Sequence, residues 1–263
     1  MTDSHQNGKY TPVIITKGSL LSRIREAHKT GGINYLIRTS ISYLREVCLV
    51  IAPSHFMAWY YNSFKSAETF KFQGNIYHYL FHPYNTTWKN ERTVVIPIVW
   101  NIVTKYQEEK KRILEFGNVL SYVFEVSHDV LDKYEIMDGI VNEDVVNFHP
   151  SQQYDLIVSI FTLQSVGWDE TPRDNKKFIY AIENLKTILA ENGQLIIIHV
   201  LGYNLEMDKF LKNGMIQFNE EYYLKRISNY KWQEASWEDV KDLEYDYSIP
   251  TARGVIVGII KKM

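Results

Sequence analysis

The sequence predicts an α/β chain, with a mostly parallel sheet covered by helices on both faces. Three observations predict it. The runs YDLIVSIFT (154–162) and QLIIIHVLGY (194–203) are apolar at almost every position, as strands buried on both faces are. Between them lies an amphipathic stretch, NKKFIYAIENLKTILAENG (175–193), in the strand–helix–strand order of a parallel sheet. In RILEFGNVLSYV (112–123), a glycine follows an apolar run at the place where such sheets bind ligands.

Taken in order, the elements divide near residue 110. SLLSRIREAHKTGGINYLIRTSISYLRE (19–46) reads as two helical stretches broken by Gly31-Gly32. The apolar window VCLVIAPSHFMAWYY (47–61) contains a proline and is shorter than the roughly 20 residues that a membrane span needs. It reads as a helix or loop packed on the main domain, with peripheral membrane contact as the minor reading. TFKFQGNIYHYLF (69–81) alternates around Gln73-Gly74-Asn75, a β-hairpin signal. Pro97 suits the first turn of a helix whose face carries Ile98, Val99, Ile102, Val103 and Tyr106. Beyond 111 come short strands in RILEF (112–116), HDVLDKY (128–134) and GIVNEDVV (139–146). The runs at 154–162 and 194–203 follow, then ARGVIVGIIKK (252–262), with Asn192-Gly193 expected to close the intervening helix. The expected domains are a helical extension at 1–68, a hairpin and cap helix at 69–110, and a ligand-binding domain at 111–263.

Composition narrows the function. Of 263 residues, 45 % are apolar, enough for a core, and the net charge of −2 gives no general pull toward nucleic acid or anionic lipid. The single cysteine, Cys48, cannot form an internal disulfide and excludes the usual multi-cysteine zinc sites. No metal is expected. The polar start, MTDSHQNGKYTP, lacks the apolar centre of a secretory signal, so a cytoplasmic protein is expected.

Acids recur at successive strand ends. Glu115 and Gly117-Asn118 follow the first strand, Asp132 the second and Asp144 the third. An acid in the second place accepts hydrogen bonds from ribose hydroxyls in nucleotide-binding units. The gap from Gly117 to Asp132 is short, so the first crossover helix must be brief. An acid at Asp144 could meet an adenine amino group. Neither GxGxxG nor GxxxxGK[ST] is present, which disfavours a pyrophosphate ligand and leaves cofactors that combine ribose and adenine without one. S-adenosyl-L-methionine is such a cofactor.

These segments resemble the class I S-adenosylmethionine-dependent methyltransferases, and more narrowly members associated with surface-polysaccharide loci. The likeness runs from about residue 70 to the end and rests on NTTWKNERTVVIPIVW (85–100), ILEFGNVLSYVF (113–124), HDVLDKYE (128–135), GIVNEDVVNF (139–148), YDLIVSIFTLQSVGWDE (154–170) and LGYN (201–204). It implies a Rossmann-like seven-stranded, mostly parallel sheet whose last strand is antiparallel. It implies that Glu115, Gly117 and Asn118 form the first cofactor motif, that Asp132 meets ribose with Lys133 and Tyr134 beside the adenosine, and that Asp144 lies on the adenine side. Thr162, Leu163 and Gln164 would line the methionine end. Relatives read STLEHVGWDE where this chain reads FTLQSVGWDE, so a glutamate is replaced by Gln164 and a histidine by Ser165.

Methyl transfer from a sulfonium needs chiefly positioning and exclusion of water, but a hydroxyl or ammonium acceptor must also lose a proton. With Ser165 at the histidine position, the candidates for a base are His82, Asp169, His199 and Glu91, of which His82 and Asp169 are preferred. His199, in an apolar strand, reads more readily as a core residue. Trp88 and Arg92 are candidates for the methionine carboxylate or the acceptor, and Trp168, Tyr203 and Asn204 for the acceptor. The expected activity is methylation of a small polar acceptor, a sugar or nucleotide-linked glycan precursor. The Gln164-Ser165 departure motivates an alternative, a catalytically silent relative that binds cofactor or a partner protein. A nicotinamide-dependent sugar enzyme is disfavoured by the missing glycines. No nucleic-acid partner is expected, since no basic stripe appears.

Overall fold

The computed structural model describes residues 54–245 and 251–262. The chain divides into two compact units, Met1–Pro53 and Ser54–Met263, and the described residues all belong to the second. The two helical stretches expected at 19–46 lie outside the described residues.

The second unit opens with helix α1 (Ser54–Lys65), followed by a hairpin of β1 (Thr69–Phe72) and β2 (Asn75–His78). Gln73 and Gly74 both take positive φ, 50° and 74°, the handedness that matches a two-residue turn to the twist of its strands. Helix α2 (Arg92–Glu108) follows, then β3 (Ile113–Phe116), β4 (Asp129–Leu131), β5 (Ile140–Val141) and β6 (Tyr154–Ile160). Helix α3 (Lys177–Thr187) leads to β7 (Leu189–Val200), and α4 (Leu205–Lys212) to β8 (Glu220–Ser228) and β9 (Lys231–Ala235). Helix α5 (Trp237–Val240) precedes β10 (Gly254–Lys261).

The main sheet has the order β5-β4-β3-β6-β7-β10-β8-β9. β3 to β7 run parallel, while β10 lies antiparallel between β7 and β8. The mostly parallel sheet and its antiparallel last strand match the expectation, but there are eight strands, not seven. The extra one is β9, the antiparallel partner of β8. Strand order reverses beside β3, since β4 lies on one side and β6 on the other. That places the crevice at the carboxyl ends of β3 and β6.

Both faces are buried. Leu156, Val158 and Ile160 of β6 pack with Ile196 and Ile198 of β7 and with Val95, Val99 and Val103 of α2. The alternate residues Ile157, Leu195 and Ile197 pack with Phe178, Ala181, Ile182 and Leu185 of α3. The period of two along each strand thus divides the apolar residues between two helical layers.

Two boundaries differ from expectation. Helix α2 begins at Arg92, so Pro97 is interior, not in the first turn. A proline there leaves the carbonyl four residues back without its helical donor. That carbonyl belongs to Thr93, and Leu80 N–H fills the vacancy at 2.9 Å. Thr93 Oγ1 donates in return to Leu80 O at 3.0 Å, which clips the end of the hairpin to the helix. Helix α3 ends at Thr187, before Asn192-Gly193. Those two residues sit in an irregular start to β7, between the pairs Tyr154–Leu189 and Leu156–Gln194, where backbone bonds with Lys262 hold them.

The described part of the 47–61 window is the start of α1. Ala58 is its buried residue, with Met57 and Tyr61 packed inward, while Phe56 and Trp59 point outward at 54 % and 58 % exposure. Tyr61 stacks on Phe81 and Trp88, and Tyr230 meets Tyr61, Tyr79 and Phe81 edge-on. These five rings pack as core rather than as a ligand surface. None of the described helices is long and apolar enough to cross a membrane.

Candidate active site

The first strand end is built around a glycine that nothing else could replace. Gly117 takes φ 87°, and a Cβ added there would stand 1.8 Å from Thr162 Oγ1. The ends of β3 and β6 therefore touch through a contact that leaves no room for a side chain at Gly117. Glu115, two residues earlier, is fully buried. Its Oε1 accepts from Val119 N–H at 2.7 Å and Leu120 N–H at 2.9 Å, and its Oε2 faces His128 Nε2 at 3.1 Å. Its role is to hold the turn after β3, not to present an open carboxylate. The crossover contains only one short 3₁₀ turn, Leu120–Tyr122, as the short gap to Asp132 implied.

Asp132 leaves β4 in a tight turn. Its Oδ1 accepts the N–H groups of Tyr134 and Glu135, each at 2.9 Å. Its Oδ2 receives no hydrogen bond among the described residues. Asn118 donates to Glu135 Oε1 at 2.7 Å, and Tyr122 donates to the same oxygen at 2.6 Å. That bond to Glu135, with some burial, pushes the Tyr122 hydroxyl up to about 12. Tyr122 in turn stacks flat on Tyr84, with centroids 4.5 Å apart.

Asp144 is not free. Lys133 Nζ and Lys177 Nζ both meet its Oδ2, at 2.8 and 2.6 Å, and Lys177 also binds Glu170 at 2.6 Å. Burial alone would raise the Asp144 carboxyl, but the two lysines outweigh it and hold it below the usual carboxylate range. Lys133 is held above its ordinary value chiefly by the bond to Asp144. Tyr134, 68 % exposed, lies beside Lys133.

At the end of β6, Leu163 is a core residue. Gln164 Oε1 accepts from Val200 N–H at 2.8 Å, joining the ends of β6 and β7. Asn204 is buried and caps α4, accepting from Glu206 and Met207 N–H while donating to Gln164 O at 2.8 Å. Its place is structural. Tyr203 reaches the surface of the site and donates its hydroxyl to Asp169 Oδ2 at 2.7 Å. Burial, and then this bond, raise the Tyr203 hydroxyl well above its ordinary range. Trp168 is half-buried, with the Arg173 guanidinium 4.2 Å over its ring.

The cap contributes Arg92, whose guanidinium lies 5.0 Å over the ring of Phe161, just past the end of β6. Arg92 Nη1 pairs with Glu91 at 3.1 Å, and its buried Nε has no partner among the described residues. Glu91 also accepts from Ala252 N–H, so it ties the helix start to the approach to β10. Trp88, 3 % exposed, is in the aromatic core and not at the cleft. His82 Nδ1 accepts from Tyr84 N–H at 3.2 Å, so the neutral ring carries its proton on Nε2 and presents a donor there. Burial lowers its basicity further. His199 is fully buried against Asp208 at 2.7 Å, a core pair.

The strand ends therefore gather Gly117, Asn118, Asp132, Thr162, Asp169, Tyr203 and Arg92. Sequence reasoning missed Tyr84, Tyr122, Glu135, Lys177 and Arg173. No local pattern marks them, because each acquires its place through a contact that the sequence around it does not reveal.

No protein-family model matches the chain, and no curated protein matches it. Among solved structures, it is similar to the N-methyltransferase NodS from Bradyrhizobium japonicum WM9 in complex with S-adenosyl-L-homocysteine, at 11 % identity, over 69 % of this chain and 97 % of that one, with a TM-score of 0.39. It is also similar to a possible histamine N-methyltransferase from Thermotoga maritima, at 14 % identity over 66 % and 100 % of the two chains, with a TM-score of 0.35. A third is an amino pentose methyltransferase from Micromonospora echinaspora, at 14 % identity over 47 % and 57 %, with a TM-score of 0.32.

Proposed function

We propose that this chain is an S-adenosylmethionine-dependent methyltransferase acting on a small polar acceptor, and that the acceptor is a sugar or nucleotide-linked precursor of a surface polysaccharide. The observation that carries the cofactor reading is Asp132. One of its oxygens is fixed by two backbone N–H groups, and the other is open at the end of β4, beside the strand-order switch. The acceptor class rests on the resemblance of the sequence segments. A cytoplasmic setting belongs to the same reading.

The residues fit the cofactor at two of its three ends. Asp132 Oδ2 would accept from ribose hydroxyls. Arg92, partly exposed and paired with Glu91 at Nη1, would hold the methionine carboxylate through its remaining N–H groups. On the adenine side, both lysines occupy Asp144 Oδ2, which leaves Oδ1, met by Val146 N–H at 3.3 Å, or a backbone carbonyl to receive the amino group. The cofactor supplies a methyl group already activated on a sulfonium. What remains for the protein is to orient the acceptor, exclude water and remove a proton. Asp169 is the proton acceptor in this proposal. Tyr203, kept neutral, donates to one of its oxygens and leaves the other for the acceptor.

A second reading has its own observation. Gln164 and Ser165 stand where the resembling sequences carry a glutamate and a histidine, and Gln164 is engaged with Val200 N–H, which suits a relative that binds cofactor or a partner without catalysis. Thermal shift separates the alternatives. Stabilisation by S-adenosylmethionine or S-adenosylhomocysteine supports both, and stabilisation by NAD alone refutes both. Methyl transfer to a panel of sugar nucleotides then distinguishes enzyme from binder.

A further inference from the structure

The loop from Gly167 to Asp174 is closed at its neck. Asp174 N–H donates to Gly167 O at 2.9 Å, and a Cβ on Gly167 would stand 2.1 Å from Asp174 O. Trp168 N–H and Asp169 N–H both donate to Ser165 O at 3.1 Å. The loop is thus fixed at the end of β6 before any ligand arrives.

Its charges do not balance locally. Asp169 is met by the Tyr203 hydroxyl, Glu170 by Lys177 and Lys133, and Asp174 Oδ1 by the N–H of Lys176. Every acid of the loop has a partner. The loop's arginine, Arg173, has none: among the described residues no carboxylate lies within ion-pair distance of it. Its guanidinium lies 4.2 Å over the Trp168 ring. A guanidinium that meets an indole through cation–π attraction spends none of its N–H groups on the contact, which leaves them for two oxygens of an anion.

We propose that Arg173, held by Trp168, is the specificity-determining residue for an anionic group on the acceptor, a phosphate or a carboxylate carried beside the hydroxyl or amine that Asp169 receives. This rests on the methyltransferase reading for the word acceptor, but not for the anion itself. It restricts the substrate class from polar molecules in general to acidic ones, such as sugar phosphates, nucleotide sugars and uronic acids.

The test is calorimetric titration of the full chain with glucose 1-phosphate, glucuronate and UDP-glucose, with glucose and inorganic phosphate as references. The expected result is binding of at least one charged sugar about tenfold or more tighter than glucose, which one charge-assisted bidentate contact supplies. Arg173→Ala should erase that difference. Arg173→Lys should restore part of it, since lysine keeps the charge without the fork. The Tm and the S-adenosylhomocysteine response should be unchanged in both variants. The proposal is overturned if no charged sugar binds better than glucose, if Arg173→Ala keeps the preference, or if inorganic phosphate binds as tightly as the sugar phosphates. If charged sugars bind through Arg173 while S-adenosylmethionine and S-adenosylhomocysteine give no response, the anion site stands and the methyltransferase reading fails.

Discussion

Tyr203 donates its hydroxyl hydrogen to Asp169 Oδ2 at 2.7 Å, joining a residue just past β7 to one in the loop after β6. Burial, and then this bond, keep the Tyr203 hydroxyl protonated. Tyr203→Phe should leave the cofactor response intact and slow methyl transfer by about tenfold or more, the scale of one lost charge-assisted bond. Parallel thermal-shift and turnover measurements check it. Equal loss of both would mean that the pair is only structural.

Burial, together with hydrogen bonds to acids, predicts a loss of stability in alkali. Tyr122 and Tyr230 are pushed up to about 12, and Tyr154, Tyr203 and Tyr223 are also raised from the ordinary 10.0. A group whose folded value exceeds its unfolded value stabilises fully below the unfolded value, and that contribution is lost as pH rises through the folded value. The Tm should therefore decline steadily above about pH 10. A Tm flat from about pH 9 to 12 would show that these phenols are not held as described.

Gly117 and Thr162 make a second sharp case. Gly117→Ala meets both a positive φ, which costs about 1–3 kcal/mol, and the Thr162 side chain at 1.8 Å. The variant should unfold at clearly lower denaturant concentration. Adding Thr162→Gly should relieve the clash but not the φ cost. Full recovery would show that the backbone there is unstrained.

Gln164 tests whether its departure from the resembling pattern matters to the fold. Its Oε1 serves Val200 N–H, a bond that a carboxylate can make equally well. Gln164→Glu should change stability by less than about 1 kcal/mol, whereas Gln164→Leu orphans a buried donor and should cost about 1–3 kcal/mol. Urea denaturation distinguishes them. A large cost for the glutamate would show that this buried position does not accept a carboxylate in place of the amide.

Much of the fold was legible because parallel strands announce themselves as apolar runs. The period of two in β6 and β7 becomes two helical layers. The hairpin was legible because Gln73-Gly74 must take positive φ. The start of α2 was misread because Pro97 signals a first turn locally, and only Leu80, from outside the helix, supplies the bond that lets it sit deeper. The β8–β9 pair was not read at all. Its sequence, EEYYLKRIS and KWQEA, places polar residues at most positions, as suits strands at the sheet edge. At the site, the positions of Asp132, Asp169 and Tyr203 just past strands were readable because apolar runs mark where strands end, and their roles belong to the proposal. Asp144 read as a free acceptor because its captor, Lys177, lies in another element, 33 residues along the chain. Trp88 and Asn204 read as ligand-facing residues because aromatic and amide side chains serve cores and caps as readily as ligands.

The most direct test is titration of S-adenosylhomocysteine into the wild-type chain and into Asp132→Asn. The asparagine keeps Oδ1, and with it the turn through Tyr134 and Glu135, but replaces the open acceptor Oδ2 by a donor. One-to-one binding to the wild type is expected, weakened about 10- to 100-fold in Asp132→Asn, with no change in Tm without ligand. No binding to the wild type, or equal binding to both, would contradict the assignment of Asp132 to the ribose.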